Sequence, residues 1–392
     1  MQWILFILQK ISKSKNGSHV LLIMRLCQVT IILCVTILIL SLSMIRGFQN
    51  SISDKIFDFS GHLSITDVDN GLINLDSSQL LQQYLQNNNI FFQKVIFNSV
   101  LLKSNMHMEG VIAKGIFSDF NTQFCDNYVA NIQANRINDN DIWISKITAE
   151  RLSLSIGQEL HLYLIQGIPR IRKLTIAAIY NTGLTEYDQN YAYVSGKLLQ
   201  KLNDVDSNKI TGFEVFSEKY ISIEDEVQEQ FGQHYTVMST MEQNPNIFEW
   251  LNLQNVNKKI IIILLLIVAY VSVISMLFVL ILDRINMIGI LQALGAKTLD
   301  VLKIFLLQGL KIISSSLLIG NILAVSICLI QNKFRVLTLP EESYYLSYVP
   351  ISLAVSDIIY INAATILLST IILFIVSFLI AKFKTIQMVS FS

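Results

Sequence analysis

The chain has 392 residues, of which 52% are hydrophobic and 15% are charged. Soluble domains carry about 25% charged residues, so this composition indicates an integral membrane protein and excludes an ordinary soluble one. The net charge is zero, but residues 47–257 hold 24 acidic and 14 basic residues, and the remainder of the chain has an excess of ten basic residues. The acidic middle region argues against a nucleic-acid partner.

Residues 1–46 predict a cytoplasmic amino terminus followed by the first membrane span. Three lysines precede an apolar run from Val20 to Ile45. A secretory signal peptide has a shorter apolar core and a small-residue cleavage site, and neither pattern occurs before Arg46. We therefore expect an uncleaved span whose amino end lies in the cytoplasm.

Residues 47–257 predict a stalk followed by an α+β domain inserted between the first and second spans. Apolar residues recur at helical spacing in the stalk, at Phe48, Ile52, Ile56 and Phe59. We expect Asp54, Lys55 and Asp58 on the solvent side of this helix. Beyond it, alternation of apolar and polar residues with turn residues between them predicts strands. The predicted strands are 61–66, 92–103, 110–117, the first part of 142–154, 159–165, 171–180, 191–195, 212–216 and 235–238. The predicted helices are 77–86, the second part of 142–154, 196–202 and 223–231.

Three further spans are predicted in the second half of the chain. Residues 258–282 contain an uncharged, largely apolar run of 23 residues, which as a helix reaches about 34 Å and can cross a bilayer. Residues 304–330 form the third span, 331–357 an outer loop, and 358–392 the fourth span with a cytoplasmic tail. Small residues recur every fourth position in the third span, at Ser316, Gly320, Ala324 and Cys328. Such a stripe allows close helix packing, either within the bundle or at a dimer interface.

Residues 283–303 predict a short apolar helix, a break and a helix restart. Gly295 is placed where a left-handed conformation ends a helix, and Thr298 with Asp300 predicts the start of the next one. A helix that is apolar on most of its circumference needs something to bury it. It either lies at the lipid headgroups or docks into a groove on a cytoplasmic partner.

The same segment carries a family resemblance. The string Asp-Arg-x-Asn-Met-Ile-Gly-Ile-Leu-x-Ala-Leu-Gly-Ala at 283–296, entered from Phe-x-Trp-Leu-x-Leu-Gln at 248–254, resembles the FtsX-like ABC permeases. Within this family it is most similar to lipoprotein-releasing permeases of the LolC/LolE type. The resemblance implies a multi-pass protein of the bacterial inner membrane with four transmembrane helices and both termini in the cytoplasm. A large MacB-like periplasmic α+β domain is inserted between helices 1 and 2.

The resemblance also implies that this chain is not an enzyme and works with partners. ATP and Mg would be bound by a separate cytoplasmic ABC ATPase, and a second permease copy or paralogue would complete the assembly. The ATPase-coupling residues would be Asn286, Met287, Ile288, Ile290, Leu291 and Leu294. We predict no cofactor, metal or catalytic residue in this chain. The Gly295-Ala-Lys297-Thr298 string lacks the phosphate-loop spacing, and the five histidines are scattered.

The function implied is extraction of lipoproteins from the outer leaflet of the inner membrane for delivery toward the outer membrane. A lipid cavity between the first and second spans would be lined by Leu33, Ile37, Leu40, Met44, Val271, Ile274 and Phe278. Ordinary lipid-facing or helix-packing surface is the alternative for these seven residues. A periplasmic lipoprotein chaperone would face the hairpin tip at Ile168, Pro169 and Arg170, although the chaperone-recruiting subunits of this family carry a longer hook there. Two alternative functions are a mechanotransmission regulator of a cell-wall hydrolase and a MacB-like efflux permease.

Overall fold

The computed structural model describes residues 18–69, 71–104, 107–130, 137–165, 170–283, 287, 290–291, 294–296, 298–340 and 344–381. They divide into two compact units. The membrane unit comprises the chain up to residue 49, residues 251–338 and the chain from residue 348 onward. The α/β unit comprises residues 50–250 and 339–347.

Helices are numbered here in chain order over the described residues. They are α1 Ser18–Ser60, α2 Gln79–Asn87, α3 Thr122–Tyr128, α4 Lys146–Leu152, α5 Thr185–Asn190, α6 Gly196–Leu202, α7 Tyr220–Phe231, α8 Thr240–Gln243, α9 Pro245–Leu282, α10 Thr298–Phe334 and α11 Val355–Ala381. Four of them, α1, α9, α10 and α11, are long and apolar enough to cross a membrane. The fold class predicted from the sequence is therefore confirmed, with the α/β region between the first and second of these helices.

The strands all belong to the α/β unit. They are β1 Leu63–Asp67, β2 Ile73–Asn74, β3 Phe91–Lys103, β4 Met108–Ile116, β5 Val129–Ala130, β6 Asp141–Ser145, β7 Glu159–Leu164, β8 Ile171–Tyr180, β9 Tyr191–Ser195, β10 Lys209–Ile210, β11 Gly212–Phe216 and β12 Tyr235–Ser239. Periodicity located the longer strands correctly. The two-residue strands and the short helices α3, α5 and α8 were not predicted, because elements of this length contain too few residues to show a period.

Six strands of the large sheet form a closed ring in the order β3, β4, β9, β6, β8 and β7, and β7 returns to β3. Two of the pairs, β4 with β9 and β6 with β8, are parallel. Inward-facing residues such as Val100, Val111 and Leu162 fill the ring, and Leu152 of α4 and Leu199 of α6 belong to the same apolar core. The ring encloses the larger of the two apolar cores of the α/β unit.

A second core lies beside the ring, where the sheet continues from β3 through β11 and β1 to the edge strand β12. Phe213 and Val215 of β11, with Leu63 of β1, pack against Leu81 of α2 and Val227 of α7. Apolar residues alternate along these strands, so one face of this extension is buried beneath the helices.

The membrane unit is held by one apolar cluster that joins all four long helices, including Leu38 of α1, Leu277 of α9, Leu317 of α10 and Leu373 of α11. The small-residue stripe of α10 is buried in this bundle, and a Cβ on Gly320 would lie 3.1 Å from the carbonyl oxygen of Ile32 in α1. The stripe therefore serves packing within the chain, the first of the two interpretations of the sequence.

The stalk prediction needs one correction. Ile52, Ile56 and Phe59 are buried and Asp54 is exposed, as expected. Lys55 and Asp58, however, do not lie on a solvent-facing side. Lys55 Nζ donates to backbone carbonyls, and Asp58 accepts hydrogen bonds from the side chains of Asn127 and Tyr128, because two loops and the helix α3 of the α/β unit lie against α1 there.

Candidate functional site

The segment between α9 and α10 is anchored by a small apolar cluster at its base. Ile281, Val301 and Phe305 are buried together, with Met24 and Ile312 packed against them. The helix α10 begins at Thr298 with Asp300 in its first turn, as the sequence indicated. A negative charge at this position stabilises the amino end of a helix.

A short helical turn ends at Gly295 by a glycine cap. Gly295 has a φ of +91°, a conformation that side chains with a Cβ rarely adopt. The amide of Ala296 donates to the carbonyl of Leu291 over 2.9 Å. This is the hydrogen bond expected one residue beyond a left-handed cap, and it confirms the predicted break.

The described coupling residues form one apolar stripe. At 100° per residue, Met287, Ile290, Leu291 and Leu294 fall within about 100° of one helical face. Ile290 is 62% exposed and Leu294 is 80% exposed, whereas Met287 and Leu291 are half-buried. Asn286 and Ile288, the other two predicted coupling residues, lie outside the described residues. Two large aliphatic side chains of the stripe, Ile290 and Leu294, are therefore exposed.

The seven residues predicted to line a lipid cavity lie on the surface of the membrane unit. Leu33, Ile37, Val271 and Phe278 are exposed. Leu40, Met44 and Ile274 are half-buried. Their neighbours Leu38 and Leu277 belong to the buried cluster that joins all four long helices. The role of the seven residues stays a prediction.

The predicted hairpin tip connects β7 and β8, and Ile168 and Pro169 lie outside the described residues. Arg170 is described, and its guanidinium donates to the carbonyls of Lys201 and Leu202 at 3.0 and 3.1 Å. It also binds the carboxylate of Asp204, and this hydrogen bond lowers the pKa of that carboxyl. Cations favour the carboxyl end of a helix, so Arg170 caps α6 and fixes the base of the hairpin.

Two polar contacts inside the membrane unit were missed by the sequence analysis. The carboxamides of Asn321 in α10 and Asn362 in α11 hydrogen-bond to each other at 3.1 and 3.3 Å. Arg46 of α1 pairs with Asp357 of α11 at 3.1 Å. Polar residues within apolar runs or at their ends were the available signal, because such residues are costly in lipid unless they have partners.

A buried ion pair lies at the carboxyl end of α1. Lys114 is fully buried, and its Nζ lies 2.7 Å from Glu214 Oε1 and donates to the carbonyl of Phe59. Burial lowers the pKa of Lys114, and the charge of Glu214 opposes this shift. The last carbonyls of a helix lack partners within the helix, and Lys114 supplies one for α1.

In the part of the chain that the structure describes, no group of three or more His, Cys, Asp or Glu side chains could hold a metal ion. All four cysteines are described, and each is buried as a free thiol. The described site residues provide an exposed apolar surface at 287–294 and polar contacts that hold the ends of helices.

Solved structures with similar chains include an extracellular domain and a periplasmic region of two bacterial proteins. The extracellular domain of the ABC-type transporter YknZ from Gram-positive bacteria matches with 14% identity and a TM-score of 0.32, covering 45% of this chain and 98% of that domain. The periplasmic region of MacB from Actinobacillus actinomycetemcomitans matches with 9% identity and a TM-score of 0.32, covering 47% of this chain and 91% of that region.

The FtsX-like permease C-terminal family matches residues 259–385. Among proteins of known name, the lipoprotein-releasing system transmembrane protein LolC of Xylella fastidiosa strain Temecula1 is 22% identical, with 86% of each chain covered. LolC of Neisseria meningitidis serogroup B is 23% identical, with 86% of this chain and 87% of that protein covered. The chain therefore carries an FtsX-like permease C-terminal domain and is similar over most of its length to LolC permeases, which confirms the resemblance seen in residues 248–296.

Proposed function

We propose that this chain is a permease subunit that releases lipoproteins from the outer leaflet of the inner membrane for transfer toward the outer membrane. The observation that carries this proposal is the similarity to LolC proteins over 86% of the chain, which includes both the membrane unit and the α/β unit. A similarity confined to the membrane spans would not indicate which substrate is transported, since many permeases share such helices.

The energy for release comes from a separate cytoplasmic ATPase that binds ATP and Mg. The docking surface for this ATPase is the stripe of Met287, Ile290, Leu291 and Leu294, together with Asn286 and Ile288. Exposed aliphatic residues on one face of a short helix suit insertion into a groove on a partner. The capped end at Gly295 supports this role, because it fixes the length of the segment that is presented.

Extraction of a lipoprotein needs both energy and shelter for its acyl chains. Each buried acyl methylene group contributes about 0.8 kcal/mol to membrane binding, so two or three chains do not leave the bilayer spontaneously. In our proposal the exposed faces of α1 and α9, with Leu33, Ile37, Val271 and Phe278, enclose the chains together with a second permease copy or a sister subunit. Leu40, Met44 and Ile274 complete this lining.

The orientation that this function requires places both termini and residues 283–303 in the cytoplasm and the α/β unit in the periplasm. Nine basic residues flank the spans on the proposed cytoplasmic side and six on the other, in the sense of the positive-inside rule. A periplasmic lipoprotein chaperone would receive the substrate near the hairpin of β7 and β8. Ile168, Pro169 and Arg170 are the residues proposed to face it, and Arg170 also caps α6.

Depletion of the protein followed by membrane fractionation tests the proposal. We expect outer-membrane lipoproteins to accumulate in the inner membrane, and expression of the intact chain to restore their sorting. Unchanged lipoprotein distribution after depletion would reject the proposed substrate. Reversal of the orientation, with a cysteine at Leu294 labelled from the periplasm, would reject the ATPase docking site.

A further inference from the structure

Leu339, Pro340 and residues 344–347, called here the 339–347 loop, belong to the α/β unit although the chain on both sides belongs to the membrane unit. The loop is closed by a hydrogen bond from the Leu339 amide to the Ser347 carbonyl at 3.0 Å. Leu346 is buried within it. With α1 and α9, the two ends of this loop are further chain connections between the α/β unit and the spans.

Lys55 of α1 holds the loop. Its Nζ donates to the carbonyl of Tyr345 at 2.8 Å and to the carbonyl of Thr182 in the segment after β8. One ammonium thereby joins a helix and two loops that are far apart in sequence. Hydrogen bonds from a charged donor are stronger than those between neutral groups.

The Thr182 side of this contact is fixed independently. The buried carboxylate of Asp188 accepts hydrogen bonds from the amide and hydroxyl of Thr182 and from the amide of Gly183. Gly183 has a φ of +72°, and a Cβ there would lie 3.0 Å from Lys55 Nζ and 3.2 Å from the Tyr345 carbonyl oxygen. Glycine therefore allows the two loops to approach the ammonium closely.

Tyr345 on the other side is strained. Its φ of +60° is rare for a bulky side chain. The conformation directs the carbonyl to Lys55, while the ring contacts Trp250 edge-on with centroids 6.5 Å apart. Strained backbone persists only where surrounding contacts hold it, so the loop conformation depends on this site.

We propose that Lys55 is a positioning residue that clamps the 339–347 loop to the segment 180–188, and that the clamped loop is required for lipoprotein release. The second half of this inference rests on the proposed function. Among the described residues, the carboxylate of Asp188 interacts electrostatically with the Lys55 ammonium, and it holds the acceptor loop in place.

Cysteine labelling of the full chain in nanodiscs tests the clamp. The four native cysteines are buried, so we expect the wild-type chain to react little with maleimide. Labelling of the Leu346→Cys variant therefore reports on the introduced cysteine. We expect Lys55→Met to raise the maleimide reaction rate of Leu346→Cys at least about tenfold, as expected for loss of hydrogen bonds from a charged donor. Lys55→Arg should restore protection, and Lys219→Met, at an exposed lysine of the same unit, should leave the rate unchanged.

Unfolding is distinguished by native Cys125, which is buried in the α/β unit and would react only if that unit opened. Trp250→Ala gives a second route, because it removes the ring contact of Tyr345 and should raise Leu346→Cys labelling without changing Lys55. If Leu346→Cys stays protected in both variants, the clamp does not exist.

Lipoprotein release decides the second half of the inference. Lys55→Met should accumulate lipoproteins in the inner membrane while the ATPase still co-purifies, and Lys55→Arg should release them normally. Faster labelling with normal release would show that the clamped loop is not needed for transport. Depletion that leaves lipoprotein sorting unchanged would reject the proposed function, whereas the labelling rates decide the clamp without reference to any substrate.

Discussion

The ammonium of Lys114 and the carboxylate of Glu214 form an ion pair that is almost completely removed from solvent, with Nζ and Oε1 2.7 Å apart. Gln93 Nε2 donates to the other carboxylate oxygen at 2.6 Å, and Lys114 Nζ also lies 4.7 Å from the ring centre of Phe59. Each charge is therefore satisfied by more than its partner. The pair joins β4, which carries Lys114, and β11, which carries Glu214, to the carboxyl end of α1.

Removing one member of this pair should be more damaging than replacing both. Lys114→Met leaves the carboxylate of Glu214 buried without a cation, and such changes cost about 3–5 kcal/mol. Adding Glu214→Gln removes the stranded charge and should recover part of that loss. Thermal unfolding of the full chain in detergent, read as a double-mutant cycle, measures the coupling.

Lys173 and Glu159 form an exposed ion pair in the same unit and supply the matched control. Its removal should cost at most about 1 kcal/mol, as surface pairs usually do. Equal losses for the buried and exposed pairs would contradict the role given to Lys114.

The sequence predicted those features that depend on neighbouring residues in the chain. Long apolar runs located α9 and α10, alternation located β3 and β8, and Gly295 marked the break before α10. These patterns are predictive because bilayer thickness, the alternation of side chains along a strand and the conformations open to glycine constrain residues that are close in sequence. The coupling stripe follows from the same reasoning, since its spacing is helical.

The sequence did not predict side-chain partners that only the tertiary fold brings together. Lys55 was expected in solvent, yet its acceptors lie 127 and 290 positions away. Arg170 was predicted to face a chaperone, and the sequence did not indicate that its guanidinium also caps a helix 31 positions further on. A charged residue in a stalk or hairpin looks the same from sequence whether it meets water or a carbonyl oxygen.

Changing the coupling stripe should uncouple the ATPase without unfolding the chain. Leu294 is 80% exposed in the described segment, so Leu294→Asp creates no buried charge within this protein. A carboxylate at an apolar docking surface costs several kcal/mol unless it is paired, and we expect co-purification of the ATPase to fall at least tenfold. Ile290→Asp should act in the same way.

The control for this experiment is Leu80→Asp, because Leu80 is 71% exposed on α2 of the α/β unit. It should leave ATPase binding and membrane insertion unchanged. Undiminished association in Leu294→Asp and Ile290→Asp would assign the stripe to the lipid headgroups instead.

The hydrogen-bonded pair of Asn321 and Asn362 should stabilise the contact of α10 with α11. Replacing Asn362 should destabilise the protein more than replacing Asn321. Asn362 Nδ2 also donates to the carbonyl of Ile358 in its own helix. Asn362→Leu therefore leaves Asn321 without its partner in the bundle, whereas Asn321→Leu leaves Asn362 with one acceptor. We expect both variants to lose about 0.6–1.7 kcal/mol, the range for such bonds in membranes, with the larger loss for Asn362→Leu.

Unfolding in bicelles measures these losses, and Thr370→Val is the control, because the Thr370 hydroxyl donates only within its own helix. The double variant Asn321→Leu with Asn362→Leu should be no less stable than Asn362→Leu alone. Additive losses would mean that the two carboxamides act independently.

His62 should make the stability of the α/β unit fall in mild acid. Its ring stacks on Phe57 with centroids 4.3 Å apart, and its Nδ1 accepts a hydrogen bond from the Ser217 amide at 3.2 Å, which requires a neutral Nδ1. Burial lowers the pKa of His62 below its ordinary value of 6.5, and the nearby carboxylates of Glu218 and Asp58 oppose this shift only in part.

A lowered folded-state pKa means that the unfolded chain binds the proton more readily. The stabilisation is therefore complete above pH 6.5 and is lost as the pH falls from 6.5 through the folded-state pKa. His62→Gln cannot ionise, and its amide oxygen can still accept from Ser217. We expect the unfolding temperature of the wild-type chain to fall relative to His62→Gln below pH 6.5 and to run parallel to it above. A difference that is constant between pH 5 and pH 8 would show that the His62 imidazole is not the group that titrates.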